Sequence, residues 1–457
     1  MARSRRDINS LSPSELDDYI HALGILRARS AANPADPGGY DHQAALHNDQ
    51  LVGPCEHGSD LFLPWHRAHL HYFERLLQES DPPRTANVTV PYWDWLHPQP
   101  GGKFPPAFAR PGLFADGRST AAVALPPDTL GIVTTETDQG AFGGYPKAHP
   151  GGDYGRLELG PHNFMHSDFI GGPMADPETA ALDPIYFSFH SFVDLLWAEW
   201  QRRNGSPAPT SPTRDLRGFL SQPRHKVADF ADTVALGYSY EYTGRLAAAF
   251  GVPTPPAAAS TLLATRPLGL ESSTDLTTEL RETSRARFGL PAPPARGRRV
   301  VVRLDELRIP VTGSYVLRGF VHPADVAFRG EDEEFAERYG VGYAALWKAH
   351  HGAVEHGHDG GPPGGHGDGH AGHPDHPGHP GHPGHPGHPG DAHPHHPTAC
   401  TARFDVTAVL AASPSAPETH VLTLQYLPSP TSTGMPQHPP GLVGEVALKD
   451  VMMEVYS

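Results

Sequence analysis

Two trios of histidine constrain this chain more than any other feature of its 457 residues. The first is His47, His57 and His66; the second is His162, His166 and His190. His57 lies two residues after Cys55, and His66 closes the run Phe62-Leu63-Pro64-Trp65. His162 and His166 are four apart, a spacing that puts both rings on one face of a helix. His190 ends Asp183-Pro184-Ile185-Tyr186-Phe187-Ser188-Phe189-His190 and stands one helical turn before Asp194. Imidazole serves copper, zinc and iron. Six neutral imidazoles with no carboxylate among them argue for copper, and trios in a pair argue for two ions in one centre. Ligands on several helices predict a bundle whose facing side chains hold the metals.

With Pro91-Tyr92-Trp93-Asp94-Trp95 between them, these motifs resemble the type-3 copper proteins: tyrosinases, catechol oxidases, o-aminophenol oxidases and molluscan hemocyanins. The resemblance runs from about Arg5 to Trp200. It implies that His47, His57 and His66 bind copper A and that His162, His166 and His190 bind copper B. At the first position His42 is a rival; His47 is preferred because Asn48 follows it, as a small or amide residue usually does in the family. His69 and His71 fall on the helix beyond His66, as surface or supporting residues. The resemblance implies two copper ions as cofactor and O2 as co-substrate. It also implies oxidation of a small phenolic substrate, an o-diphenol or o-aminophenol, to an o-quinone-type product. The alternative is a reversible oxygen carrier of the hemocyanin kind.

Other residues take expected roles from the same resemblance. Glu158 precedes His162 by four residues and Asn163 follows it directly, so both can approach copper B. In the family, a glutamate and an asparagine at comparable positions hold a water that takes the phenol proton, which keeps monophenol hydroxylation open. The plainer alternatives are a helix-capping amide for Asn163 and a first-turn carboxylate, favoured by the helix dipole, for Glu158. Asp194 is expected to fix a ligand ring or an arginine such as Arg67. The chain departs from the family pattern at Phe189, where many relatives carry a second histidine, and at Ser167, where some carry a bulky or basic residue. Phe189 is expected to face the core or the copper pocket. Both departures bear on hydroxylase strength and substrate preference, and all six ligands remain.

Cys55 and Cys400 are the only cysteines, so there is no disulfide framework. Cys55-Glu56-His57 resembles the fungal and molluscan pattern in which this sulfur is joined covalently to the ligand imidazole. A thioether would lock the His57 ring. A buried free thiol and a Cys55–Cys400 disulfide are the alternatives.

The chain is long enough for two domains. Residues 1–262 carry helical patterns and are assigned to the copper domain. Residues 263–297, ending in Pro291-Ala292-Pro293-Pro294-Ala295-Arg296-Gly297, are assigned to a linker. Residues 298–457 carry strand signals over 300–304, 314–321, 401–410, 420–426 and 446–455. The expected fold is therefore mainly α: a central four-helix bundle holding a binuclear copper site, followed by a smaller antiparallel β-sandwich. The second domain resembles the one that covers the site in latent phenol oxidases, with Tyr343 and Trp347 as candidates for the side chain that fills the substrate space. An insertion at 350–398 holds roughly half of the 31 histidines, many in Gly-His-Pro repeats. Alternating Gly and Pro favour polyproline II, in which histidines three apart stand about 9 Å apart. That spacing suits a weak multi-site copper scavenger, or no metal role at all.

A net charge of −16 with no basic stripe argues against nucleic acid and anionic membranes as partners. No run of 18 apolar residues spans a bilayer. The segment after Arg6 is too charged for a signal sequence and predicts a helix capped by Ser12, with Pro13 at N1 and Glu15 at N3. A cytoplasmic protein, or one exported on a partner, is expected, with a copper-delivery protein as a further possible partner.

Overall fold

In the computed structural model of the chain, the described residues are 3–47, 54–126, 128–147, 152–251, 261–273, 284–290, 298–308, 315–330, 332–346, 399–412, 420–428 and 450–457. Met1–His350 and Pro397–Ser457 form one compact unit. The histidine-rich insertion and Trp347 lie outside the described residues.

The helical part begins as its local chemistry dictates. Ser12 accepts the Glu15 N–H at 3.3 Å while the Glu15 carboxylate accepts the Ser12 N–H at 2.7 Å, a reciprocal cap that starts α1 (Pro13–Ala32). α1 buries Leu16, Tyr19, Leu23 and Leu26, three and four apart, as an amphipathic helix must. Then come α2 (Tyr40–Leu46), α3 (Phe62–Ser80) and α4 (Ile185–Arg203). α3 lies between α1 and α4, with Phe73 and Phe187 stacked across the second interface. A helical segment precedes α4 and contains wide π-turns over Glu158–His162 and Met165–Ile170. Pro161 sits inside the first of them, where its missing N–H disfavours an α-turn. π-turns are rare and often mark functional sites.

Two short strands tie the start of the chain to the end of the helical part: β1 (Arg3–Arg5) pairs in parallel with β2 (Tyr238–Tyr240). The remaining strands are β3 (Leu262–Pro267), β4 (Leu270–Ser273), β5 (Ser284–Leu290), β6 (Arg299–Arg308), β7 (Tyr315–Pro323), β8 (Gly340–Leu346), β9 (Ala399–Asp405), β10 (His420–Pro428) and β11 (Asp450–Tyr456). They make two antiparallel sheets, β4-β5-β10-β7-β8 and β3-β11-β6-β9. Leu317, Val321, Leu422 and Leu424 of one sheet share a core with Val302, Leu304, Phe404 and Met453 of the other, which is the expected sandwich. Tyr154 and Leu159 of the helical part belong to the same core, so the sandwich is packed onto the π-turn segment.

Two expectations change, and one strand was not foreseen. Residues 263–297 are not a linker: they supply most of β3 and all of β4 and β5, so the β domain begins at Leu262. β3 and β4 are edge strands, and Leu262 and Leu263 are exposed, so neither segment shows the apolar alternation that marks a strand locally. The expected strand over 401–410 stops at Asp405 and turns into a short helix, Thr407–Ala412. β8, rich in Gly and Ala, carries almost no strand signal of its own and forms by pairing with β7. Gly342 in β8 adopts φ +126°, a conformation L side chains rarely take, beside a register shift against β7. Among the described residues no helix is long and apolar enough to cross a membrane.

Candidate dinuclear metal centre

The six histidines arrive from five places. His47 caps the end of α2, His57 stands in the loop before α3, and His66 lies in the first turns of α3. His162 and His166 come from the π-turn segment and His190 from α4. All are buried. The ring Nδ1 of each faces an oxygen: Pro177 O for His47 (2.8 Å), Phe62 O for His66 (2.8 Å), Met174 O for His166 (2.8 Å) and Tyr186 O for His190 (3.1 Å). For His57 the partner is Glu158 Oε1 (2.9 Å), and for His162 it is Asn163 Oδ1 (2.8 Å). A carbonyl only accepts, so Nδ1 donates and the Nε2 lone pair is left for a metal.

Inside the cluster, the Nε2 atoms of His47 and His57 are 3.2 Å apart and those of His162 and His190 are 3.1 Å apart. Two nitrogens about 2.0 Å from one ion at a near-tetrahedral angle are separated by about 3.3 Å. Within each trio the ligand atoms all lie within 4.8 Å of one another. The trios face each other: the His66 and His190 rings stack at 4.5 Å, and the parallel rings of His47 and His166 stand 6.1 Å apart. The donor set and its geometry therefore fit two adjacent metal ions.

Electrostatics agree. Burial, reinforced by the crowding of imidazoles, holds His57, His66, His166 and His190 well below the usual histidine pKa. Burial likewise lowers His47 to about 4 and His162 to about 3. The imidazoles are thus neutral, as ligands must be. Burial pushes Glu158 well above the carboxylate range, opposed by the Gly58 N–H that its Oε1 accepts at 2.8 Å. Glu158 Oε2 is buried with no hydrogen-bond partner among the described residues.

The structure separates the sequence candidates. His47, not His42, joins the first group. His69 is buried behind it, bonded to Gln43 O (3.0 Å), and His71 packs on Tyr72 and Phe230 on the outer side of α3. Glu158 reaches His57 of the first trio across 101 residues, whereas proximity in sequence pointed to the second. Phe189 turns its ring to His162 (5.6 Å) and His166 (5.0 Å) and forms an aromatic wall of the site. Ser167 lies within hydrogen-bond reach of Asn163 O (2.9 Å) and Asp168 Oδ2 (2.6 Å), inside its own segment. Among the described residues Asp194 holds no ligand ring. It accepts from Arg67, from Arg5 (3.3 Å) and from the hydroxyls of Tyr238 and Tyr240 (2.6 Å each), binding β1, β2, α3 and α4 together.

Cys55 is buried and joins the first group, its Sγ 3.8 Å from His66 Nε2. Cys400 is buried in the sandwich core, and both cysteines are free, so no disulfide links them. Sequence reasoning missed β8, whose strand lies on the π-turn segment. Tyr343 packs edge-on against Phe164 (5.5 Å), so its described ring partner is not a histidine, and Ala345 O accepts from Asn163 Nδ2 (3.0 Å).

A family profile described as the common central domain of tyrosinase matches residues 37–124 and 129–203. The tyrosinase of Streptomyces glaucescens is 32% identical over 226 residues, which cover 39% of this chain and 79% of that one. The chain belongs to the tyrosinase family of type-3 copper proteins. Tyrosinase HcTyr1 of Hahella sp. is 28% identical over 294 residues, 52% of this chain, and the match spans 63% of that relative's length. Latent apple tyrosinase, 17% identical, superposes with a TM-score of 0.63 over 100% of this chain and 97% of that structure, a likeness of fold.

Proposed function

We propose that this tyrosinase-family chain is a copper oxidase that uses O2 to convert o-diphenols or o-aminophenols to o-quinone-type products. In this reading His47, His57 and His66 hold copper A, and His162, His166 and His190 hold copper B. The observation that carries it is the convergence of six buried imidazoles, each with Nδ1 anchored and Nε2 turned inward. A bound copper pair supplies the two-electron redox chemistry and the affinity for oxygen; the chain supplies orientation, a dry surrounding and proton handling. Phe189 offers an aromatic wall for a phenol ring beside His162 and His166. Glu158, with Oε2 uncommitted, and Asn163 are the groups proposed to hold a water that takes the phenolic proton, which extends the reading to monophenols.

Copper analysis of the purified, copper-loaded chain should give two ions, with oxygen uptake on adding catechol or o-aminophenol. One ion per chain, a preference for zinc, or reversible oxygen uptake without turnover would reject the oxidase.

The same reading includes a thioether between Cys55 and His57, supported by the sulfur's place in the first group. Its formation would replace one S–H and one C–H by an S–C bond, with O2 taking up the two electrons and two protons; a bound copper would supply the redox chemistry. Peptide mass analysis should show a two-hydrogen deficit on the fragment carrying both residues. Full alkylation of Cys55 in the denatured, copper-matured protein would exclude the link.

A further inference from the structure

Four of the six imidazoles give Nδ1–H to backbone carbonyls, which are as rigid as the chain that carries them. His57 and His162 depend on side chains instead. Glu158, the partner of His57, is itself held by Gly58 N–H. Asn163, the partner of His162, is a different kind of support, because an amide has a donor end and an acceptor end of nearly the same shape. Rotated by half a turn, it would offer Nδ2–H to His162 Nδ1. His162 would then favour the tautomer with its proton on Nε2, where a metal must bind.

What selects the working orientation comes from the other domain. Asn163 Nδ2 donates to Ala345 O at 3.0 Å, 182 residues away, so Oδ1 is the end left for His162. Ala345 lies in β8, an outer strand of its sheet, where backbone groups on the unpaired side are available to another element. Tyr343, two residues earlier, anchors the strand with its ring edge-on to Phe164 at 5.5 Å.

We infer that β8 is a positioning element of the copper B site: through the chain Ala345 C=O, Asn163 amide, His162 imidazole, it fixes the side of His162 that meets the metal. This rests on the assignment of His162 to copper B. The β domain therefore completes the site, and loosening β8 weakens one copper and not the other.

The test uses the full-length, copper-loaded chain and graded competition with a Cu(I) chelator, read by copper content and by the EPR signal of a lone Cu(II) after reoxidation. Tyr343→Ala, which loosens β8 without touching a ligand, should release one of the two ions about 10-fold more readily, the lower end for loss of a supporting hydrogen bond. Asn163→Ala should do the same, and the double variant should be no worse than Asn163→Ala alone, because both act through one chain of bonds. Tyr343→Phe keeps the ring and should behave as wild type, which separates a lost anchor from a misfolded domain. Additive effects, equal release of both ions, or unchanged release in a folded Tyr343→Ala chain would overturn the inference. Fewer than two ions in the wild type would instead reject the copper assignment beneath it.

Discussion

A carboxylate sealed from water stays ionised only where cations and hydroxyl donors outweigh its lost hydration. At Asp194 burial pushes the pKa up, but Arg67, Arg5, Tyr238 and Tyr240 prevail and hold it below the usual value. Because the folded pKa is depressed, the stabilisation is fully present above the unfolded value of about 4 and is lost as pH falls through the folded pKa. Asp194→Asn strands two buried guanidinium groups and should lower stability at neutral pH by about 3–5 kcal/mol, measured by urea unfolding. The variant should also lose less stability than the wild type as pH falls below about 4. Equal acid slopes in the two proteins would show that Asp194 does not carry that dependence. The same residue shows how sequence reading succeeds halfway: one turn after His190 it had to serve the site or an arginine, and only the packing of β1 and β2 settles that it serves two arginines and two tyrosines.

At the level of elements, α1 and the π-turn segment contrast in what a local change does. α1 carries no ligand, packs on α3 and buries Tyr19, Leu23 and Leu26. Ser12→Ala removes its reciprocal cap and should cost about 1 kcal/mol, seen as a lower unfolding midpoint with both copper ions retained. Loss of copper in a folded Ser12→Ala chain would mean that α1 is coupled to the site more tightly than its packing indicates. The π-turn segment carries Glu158, His162, Asn163 and His166 within thirteen residues of helical chain, so its wide turns set the site directly. The α1 cap was readable from Ser12, Pro13 and Glu15 because capping is local chemistry. The π-turns were not, because four-residue spacing of His162 and His166 suits an ordinary helix equally well.

Across the whole molecule, the sandwich is fastened to the helical part by charge as well as by Tyr154 and Leu159. Arg403 pairs with Asp153 and lies over the Tyr145 ring at 4.2 Å; Arg299 bridges Glu136 (2.6 Å) and Asp405 (2.9 Å). Ion pairs this enclosed cost most when one partner is removed. Arg403→Ala should therefore loosen the β domain and speed limited proteolysis of the native protein. If the domain limits access to the copper pocket, kcat/KM should rise more for a bulky o-diphenol than for catechol. Equal changes for both substrates, with faster proteolysis, would show a domain that stabilises the fold without screening the pocket.

The two histidine trios could be picked out before any fold was known, because coordination demands particular side chains at particular spacings; their burial and convergence are visible only in the fold. The helical cap and the β-rich C-terminal region were readable for similar reasons: their physical chemistry is local. The partners of those side chains were not. Glu158 meets His57 across 101 residues and Asn163 meets a backbone carbonyl across 182, and a carbonyl leaves no trace in residue identity. β3, β4 and β8 were likewise hidden, since a strand at a sheet edge draws its stability from the neighbour it pairs with and not from its own pattern of apolar residues.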